Sequence, residues 1–159
     1  PEDRTQMLQA RKRLAYEEVL RLQLEMMRLR RAETLDAAPI VHVPGACMES
    51  LRARLPYTLT EEQERAVADI VGDMGAPRCM NRMLLGDVGT GKTIVAAFGL
   101  ALAADSGCQA AMMAPTEVLA RQYAGKLGPL FDAAGISWGT LTGSTAPEER
   151  ERLLAGAQD

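Results

Sequence analysis

The chain has 159 residues, 47% of them hydrophobic and 25% charged, with a formal net charge of −3 at neutral pH. This is ordinary globular composition for about one domain, and it excludes a collagen-like repeat, whole-chain disorder and a disulfide scaffold. The three cysteines, Cys47, Cys79 and Cys108, show neither pairing nor metal-ligand spacing, as expected of an intracellular, cytoplasmic protein, and the longest uncharged apolar run, Ile94 to Ala104, falls well short of the roughly 20 residues of a membrane span.

Residues 5 to 31 contain no Gly or Pro and place Leu8, Ala15, Val19, Leu22, Met26 and Leu29 at alternating spacings of three and four, interrupted only by Lys12. The spacing predicts one long amphipathic helix within residues 1–37. A heptad seam would fit the same stripe, and so would a helix lying on another domain. Arg11, Lys12, Arg13, Arg21, Arg28, Arg30 and Arg31 make this stretch basic. Residues 1 to 54 hold ten Lys/Arg and eight Asp/Glu, a balance of +2, whereas residues 55 to 159 hold eight and thirteen, a balance of −5. Two segments with different tasks are expected.

Residues 38–59 lose periodicity. Pro39, Pro44, Gly45 and Pro56 punctuate them, so an irregular connector is expected. His42, the single histidine, has no second imidazole to join it in a metal or catalytic role, and reads as a loop or packed ring.

Residues 60–159 change pattern again. Thr60 and Gln63 form a Thr-x-x-Gln capping box ahead of an apolar face of Ala66, Val67, Ile70, Val71 and Met74. Short apolar runs at 83–85, 109–114 and 136–141 then alternate with helical patterns at 92–105, 117–130 and 147–155. Alternation of this kind predicts an α/β fold: a parallel sheet with helices on both faces, preceded by the long helix. Cut after three strands, such a sheet would leave an open edge through which the chain could self-associate.

Gly86-Asp87-Val88-Gly89-Thr90-Gly91-Lys92-Thr93 fits G-x-x-x-x-G-K-[ST] at every fixed position. Such a match arises by chance about once in a few hundred chains of this length, and here it follows an apolar run and opens a helix. Glycines let successive N–H groups turn inward, and the helix adds its N-terminal dipole at the same point. ATP with Mg²⁺ is the expected ligand, Lys92 reaching the β- and γ-phosphates and the Thr93 hydroxyl ligating the metal. No later apolar run ends in Asp-Glu, the pair that would hold Mg²⁺ for hydrolysis.

These residues resemble the RecG family of bacterial ATP-dependent DNA helicases, in helicase superfamily 2. The resemblance covers nearly the whole chain. It rests on Ala10 to Glu18 in the long helix, on Leu55-Pro56-Tyr57-Thr58-Leu59-Thr60 with Gln63, on the loop at 86–93, and on Met113-Ala114-Pro115-Thr116-Glu117-Val118-Leu119-Ala120-Arg121-Gln122. The loop alone also resembles a transcription-repair coupling translocase.

The resemblance implies an incomplete RecA-like P-loop lobe: the first half of motor lobe one, preceded by the rod that joins it to a wedge domain. It implies that Gln63 reads adenine with Tyr57 near the base, and that Pro115, Thr116, Glu117, Thr142 and Gly143 touch the DNA backbone. Tyr57 and Tyr123 stand where the family carries Phe and His. The implied partners are branched or forked DNA and the rest of a helicase chain, with its wedge and second motor lobe. The implied activity needs an Asp-Glu-x-His box that these residues lack, so ATP turnover and unwinding are not expected of this chain alone. A small P-loop kinase, or an interaction module built on the long helix with an idle nucleotide site, would share the loop.

Overall fold

The computed structural model describes residues 4–35 and 40–157. It divides into two units, residues 1–39 and 40–159. The first holds α1, Arg4–Leu35, a single uninterrupted helix. Its expected stripe is exposed, and Leu14, Leu20, Leu24 and Met27 lie exposed on other faces, so α1 is not cleanly two-sided.

In the second unit the helices are α2 (Ala46–Ala53), α3 (Glu61–Met74), α4 (Lys92–Asp105), α5 (Glu117–Ala133) and α6 (Pro147–Gly156). The segment expected to be an irregular connector therefore contains a two-turn helix. α2 has no local capping side chain; its cap comes from Asp105, at the far end of α4. The Asp105 carboxylate accepts from the backbone N–H groups of Gly45, Cys47 and Met48 at 2.8, 2.7 and 3.1 Å. An acid is unfavourable at the C-terminus of its own helix but favourable at the N-terminus of another, which α2 presents.

α4 is apolar on nearly every side and forms the centre of the unit. Ile94, Val95, Ala97, Phe98, Ala101 and Leu102 are buried against Met48 and Leu51 of α2, Val67 and Ile70 of α3, and Leu127 and Phe131 of α5. A helix apolar all round is stable only when surrounded, so this sequence places the helix that follows the glycine-rich loop inside the core.

The expected parallel sheet does not form. Among the described residues there is no strand, and the runs 83–85, 109–114 and 136–141 make no backbone ladder with one another. An apolar run can specify its own alternation, but a strand also needs a second backbone about 4.8 Å away. Leu84 packs against the core while Met83 and Leu85 are each 81% exposed, a period of two without a partner strand. The expected arrangement of helices on both faces of a sheet, and the sheet edge as a route to self-association, are therefore missing from the described residues. No described helix is long and apolar enough to cross a membrane.

Candidate nucleotide and nucleic-acid sites

The glycine-rich loop is positioned from both ends. Before it, Arg82 donates from Nε to Asp73 at 2.7 Å and from Nη1 to Asp69 at 2.8 Å, clamping the incoming segment to α3. The Arg82 hydrogen bond outweighs partial desolvation and holds the Asp73 carboxyl below its usual range. After it, Gly91 caps α4 with φ +80°, and Gly89 has φ +87°, both in the left-handed region that favours glycine.

Within the loop, the Lys92 ammonium donates to the carbonyls of Gly86 and Asp87, each at 2.7 Å. The Thr90 hydroxyl donates to the Asp87 carbonyl at 2.9 Å. Among the described residues, the N–H groups of Val88, Gly89, Gly91, Lys92 and Thr93 have no backbone acceptor, and the Thr93 hydroxyl makes no hydrogen bond. A curled backbone with unpaired donors, a cation beside it and a helix N-terminus behind it has the donor set that phosphate requires. A side chain at Gly91 would run into the Gln63 amide, so the hollow is closely bounded on that side.

Gln63 serves the helix cap and the loop together. Its Oε1 accepts from Thr60 N at 2.9 Å, Thr60 Oγ1 accepts from Gln63 N at 3.3 Å, and Gln63 Nε2 donates to the Thr90 carbonyl at 2.8 Å. Those partners leave only one orientation of the amide possible, because the N–H must meet an acceptor and the carbonyl a donor. Tyr57 lies elsewhere, lining an open groove of about 510 Å³ with Arg52, Leu55, Leu59 and Glu64. No hydrogen bond joins it to the loop among the described residues.

The expected backbone-contact residues meet at a different place. Thr116 is the N-cap of α5, its Oγ1 accepting from Leu119 N at 3.3 Å, with Pro115 exposed just before it. Glu117 accepts from Arg121 Nε and Nη2 at 3.1 and 2.8 Å and from the Ser144 hydroxyl. Gly143 faces Glu117, and Thr142 Oγ1 lies 3.1 Å from Ser144 Oγ. The turn at 142–145 and the start of α5 thus form one cluster. Arg121, Ser144 and Thr145 were not singled out as site residues from sequence. The i,i+4 spacing of Glu117 and Arg121 was a usable signal, but nothing local marks Ser144. No described group of His, Cys, Asp and Glu side chains has the arrangement of a metal site.

A family model described as DEAD/DEAH box helicase matches residues 60–158. The ATP-dependent DNA helicases RecG of Bacillus subtilis (strain 168), Synechocystis and Thermotoga maritima are 42%, 38% and 37% identical over 100%, 98% and 94% of this chain. The chain spans only 24%, 19% and 19% of those three proteins. The solved structure of RecG bound to a three-way DNA junction aligns with a TM-score of 0.81 and 33% identity, over 100% of this chain and 22% of that one. The likeness gives the second unit a RecA-like helicase fold, its sheet unformed among the described residues. The chain belongs to the DEAD/DEAH box helicase family and is RecG-like along its length.

Proposed function

We propose that this chain is the phosphate-binding part of an ATP-dependent DNA helicase of the RecG kind, which remodels branched or forked DNA in recombination and repair. The observation that carries the reading is the loop at 86–93, where N–H groups without a backbone acceptor among the described residues lie beside Lys92 and at the head of a buried helix. Bound Mg-ATP would supply the driving force for movement along DNA. Within this chain, Lys92 would exchange the Gly86 and Asp87 carbonyls for phosphate oxygens. The Thr93 hydroxyl would ligate Mg²⁺, and the N–H groups of Val88, Gly89, Gly91, Lys92 and Thr93 would bind the remaining charge. Gln63 would recognise the adenine through its amide, with Tyr57 near the base. The Pro115–Glu117 and Thr142–Gly143 segments would meet the DNA backbone, which needs only hydroxyls, N–H groups and helix ends.

Without an Asp-Glu-x-His box in these residues, binding is expected without turnover. A wedge domain and a second motor lobe would be the chain's structural partners, and a DNA-processing role of this kind places it in the bacterial cytoplasm. The test is a thermal-shift titration with Mg-ADP. A saturable rise in melting temperature that vanishes in Lys92→Ala supports the reading. Steady phosphate release from ATP above a Lys92→Ala control would overturn the claim of no turnover.

A further inference from the structure

The glycine-rich loop hangs between two ties to one helix. Arg82, four residues before Gly86, donates to Asp73 and Asp69 of α3 at 2.7 and 2.8 Å, and the Thr90 carbonyl accepts from Gln63 at the start of the same helix at 2.8 Å. Asp69 and Asp73 stand about one helical turn apart on α3, so a guanidinium meets both through separate N–H groups. A single compact ammonium could not hold the same two points.

Between the ties, the arm at 83–85 has little else to hold it. Leu84 packs against the core, Met83 and Leu85 are exposed, and among the described residues the backbone of 79–85 makes no backbone–backbone hydrogen bond. Its other anchor is Lys92, whose ammonium donates to the carbonyls of Gly86 and Asp87, each at 2.7 Å. Phosphate removes that anchor. An ammonium has only three N–H donors, and those that turn to phosphate oxygens leave the carbonyls behind. Once Lys92 has turned, Arg82 and Leu84 are what keep the arm, and with it the start of the loop, in place.

We propose that Arg82, by its two-point hold on Asp69 and Asp73, is a positioning residue that keeps the glycine-rich loop formed when Lys92 exchanges its carbonyls for a phosphate-bearing ligand. This rests on the phosphate-binding reading above and adds to it a residue outside the loop. Arg82 acts through the arm and makes no contact with the ligand. Without it the arm must be ordered at the moment of binding, and that entropy is subtracted from affinity. The role therefore shows in the affinity of the folded chain as well as in its stability.

The test is isothermal titration of the 159-residue chain with Mg-pyrophosphate, at a temperature where the emission of Trp138, the single tryptophan, puts each variant on its folded baseline. Arg82→Gln should weaken binding about three- to tenfold. Arg82→Lys keeps the charge and one ion pair, and with them most of the stability, and should still weaken binding by a smaller factor. Arg78→Gln removes the same charge beside Asp73 and should leave affinity as it is. In an Asp69→Asn, Asp73→Asn background, Arg82→Gln should have little further effect, because its anchors are already gone. A loss of stability without a loss of affinity in Arg82→Gln, or wild-type affinity in Arg82→Lys, overturns the positioning role and leaves the phosphate reading standing. An equal loss in Arg78→Gln does the same, since charge alone would then account for it. If Arg82→Gln does not reach its folded baseline, Arg82→Lys decides between the same outcomes. No binding of Mg-pyrophosphate by the wild-type chain overturns both.

Discussion

Gln63 and Thr90, 27 positions apart, are joined by a hydrogen bond of 2.8 Å from the side-chain amide of one to the backbone carbonyl of the other. Because the same amide accepts from Thr60 N, a single side chain ties the start of α3 to the glycine-rich loop. From sequence, helix capping and nucleotide reading compete for Gln63. The folded chain divides them by atom: oxygen to the cap, nitrogen to the loop. The second N–H of that nitrogen is left over for a base such as adenine.

Gln63→Ala should therefore destabilise the nucleotide-free chain by about 1 kcal/mol, a fall of roughly 2–4 °C in melting temperature. It should also abolish the extra stabilisation that Mg-ADP gives over Mg-pyrophosphate. An extra stabilisation equal to that of the wild type would remove Gln63 from base recognition while leaving the phosphate site untouched.

Gly89 and Gly91 offer a paired comparison. Both have positive φ, but a Cβ at Gly89 would meet open space, whereas one at Gly91 would meet the Gln63 amide. Gly89→Ala should cost about 1–2 kcal/mol, the strain of left-handed backbone alone. Gly91→Ala should cost more, and the excess should shrink in a Gln63→Ala background. Urea unfolding of the wild type, the three single variants and the Gly91→Ala/Gln63→Ala double variant measures it; equal losses at the two glycines would mean that Gln63 swings aside freely.

Asp105 holds α2 in place from the end of α4. Asp105→Ala leaves the N–H groups of Gly45, Cys47 and Met48 without their acceptor and should cost about 2 kcal/mol. Burial raises the Asp105 carboxyl, but the N–H groups of Cys47, Met48 and Gly45, with the Cys47 thiol, outweigh it and hold the group below its ordinary 3.8. A depressed folded value means that the stabilisation is present above the unfolded value and is lost as pH falls through the folded one. The stability gap between wild type and Asp105→Asn should therefore be constant near neutrality and narrow below about pH 4. Urea midpoints across that range decide it, and a gap that stays constant into acid would contradict the role of the charge.

Phe98 is 1% exposed at the middle of α4, with the Arg52 guanidinium 5.1 Å above its ring. Phe98→Ala should cost about 3–5 kcal/mol, a large share of the stability of any domain. Arg52→Ala should cost no more than about 1 kcal/mol, since the cation lies at an exposed site. Chemical denaturation of both variants checks the ranking. A larger loss at Arg52 would mean that its ion pair with Glu64, and not the packing of α4, secures α2 against α3.

The glycine-rich loop and the helices α3 to α6 were legible because each is specified by neighbours in the chain. Thr60 and Gln63 cap within one turn, Pro147 starts α6, and the loop needs only its own glycines, Lys92 and Thr93. α2 was not legible, since its cap is supplied by a residue 60 positions later in the chain. The three apolar runs were legible as runs but not as strands. Alternation at Met83, Leu84 and Leu85 says which side chains face inward, and says nothing about whether another backbone lies alongside.

By itself, then, the sequence determined the glycine-rich loop, the helix it opens and the family resemblance, all of which depend on residue types at short fixed spacings. Tertiary structure alone decided that Gln63 bonds to Thr90, that Asp105 caps α2, that Glu117 accepts from the Ser144 hydroxyl, and that no ladder joins the apolar runs among the described residues. Each of those is a contact between residues distant in the chain. Local propensity cannot encode such a contact, because its free energy exists only when folding brings donor and acceptor within reach.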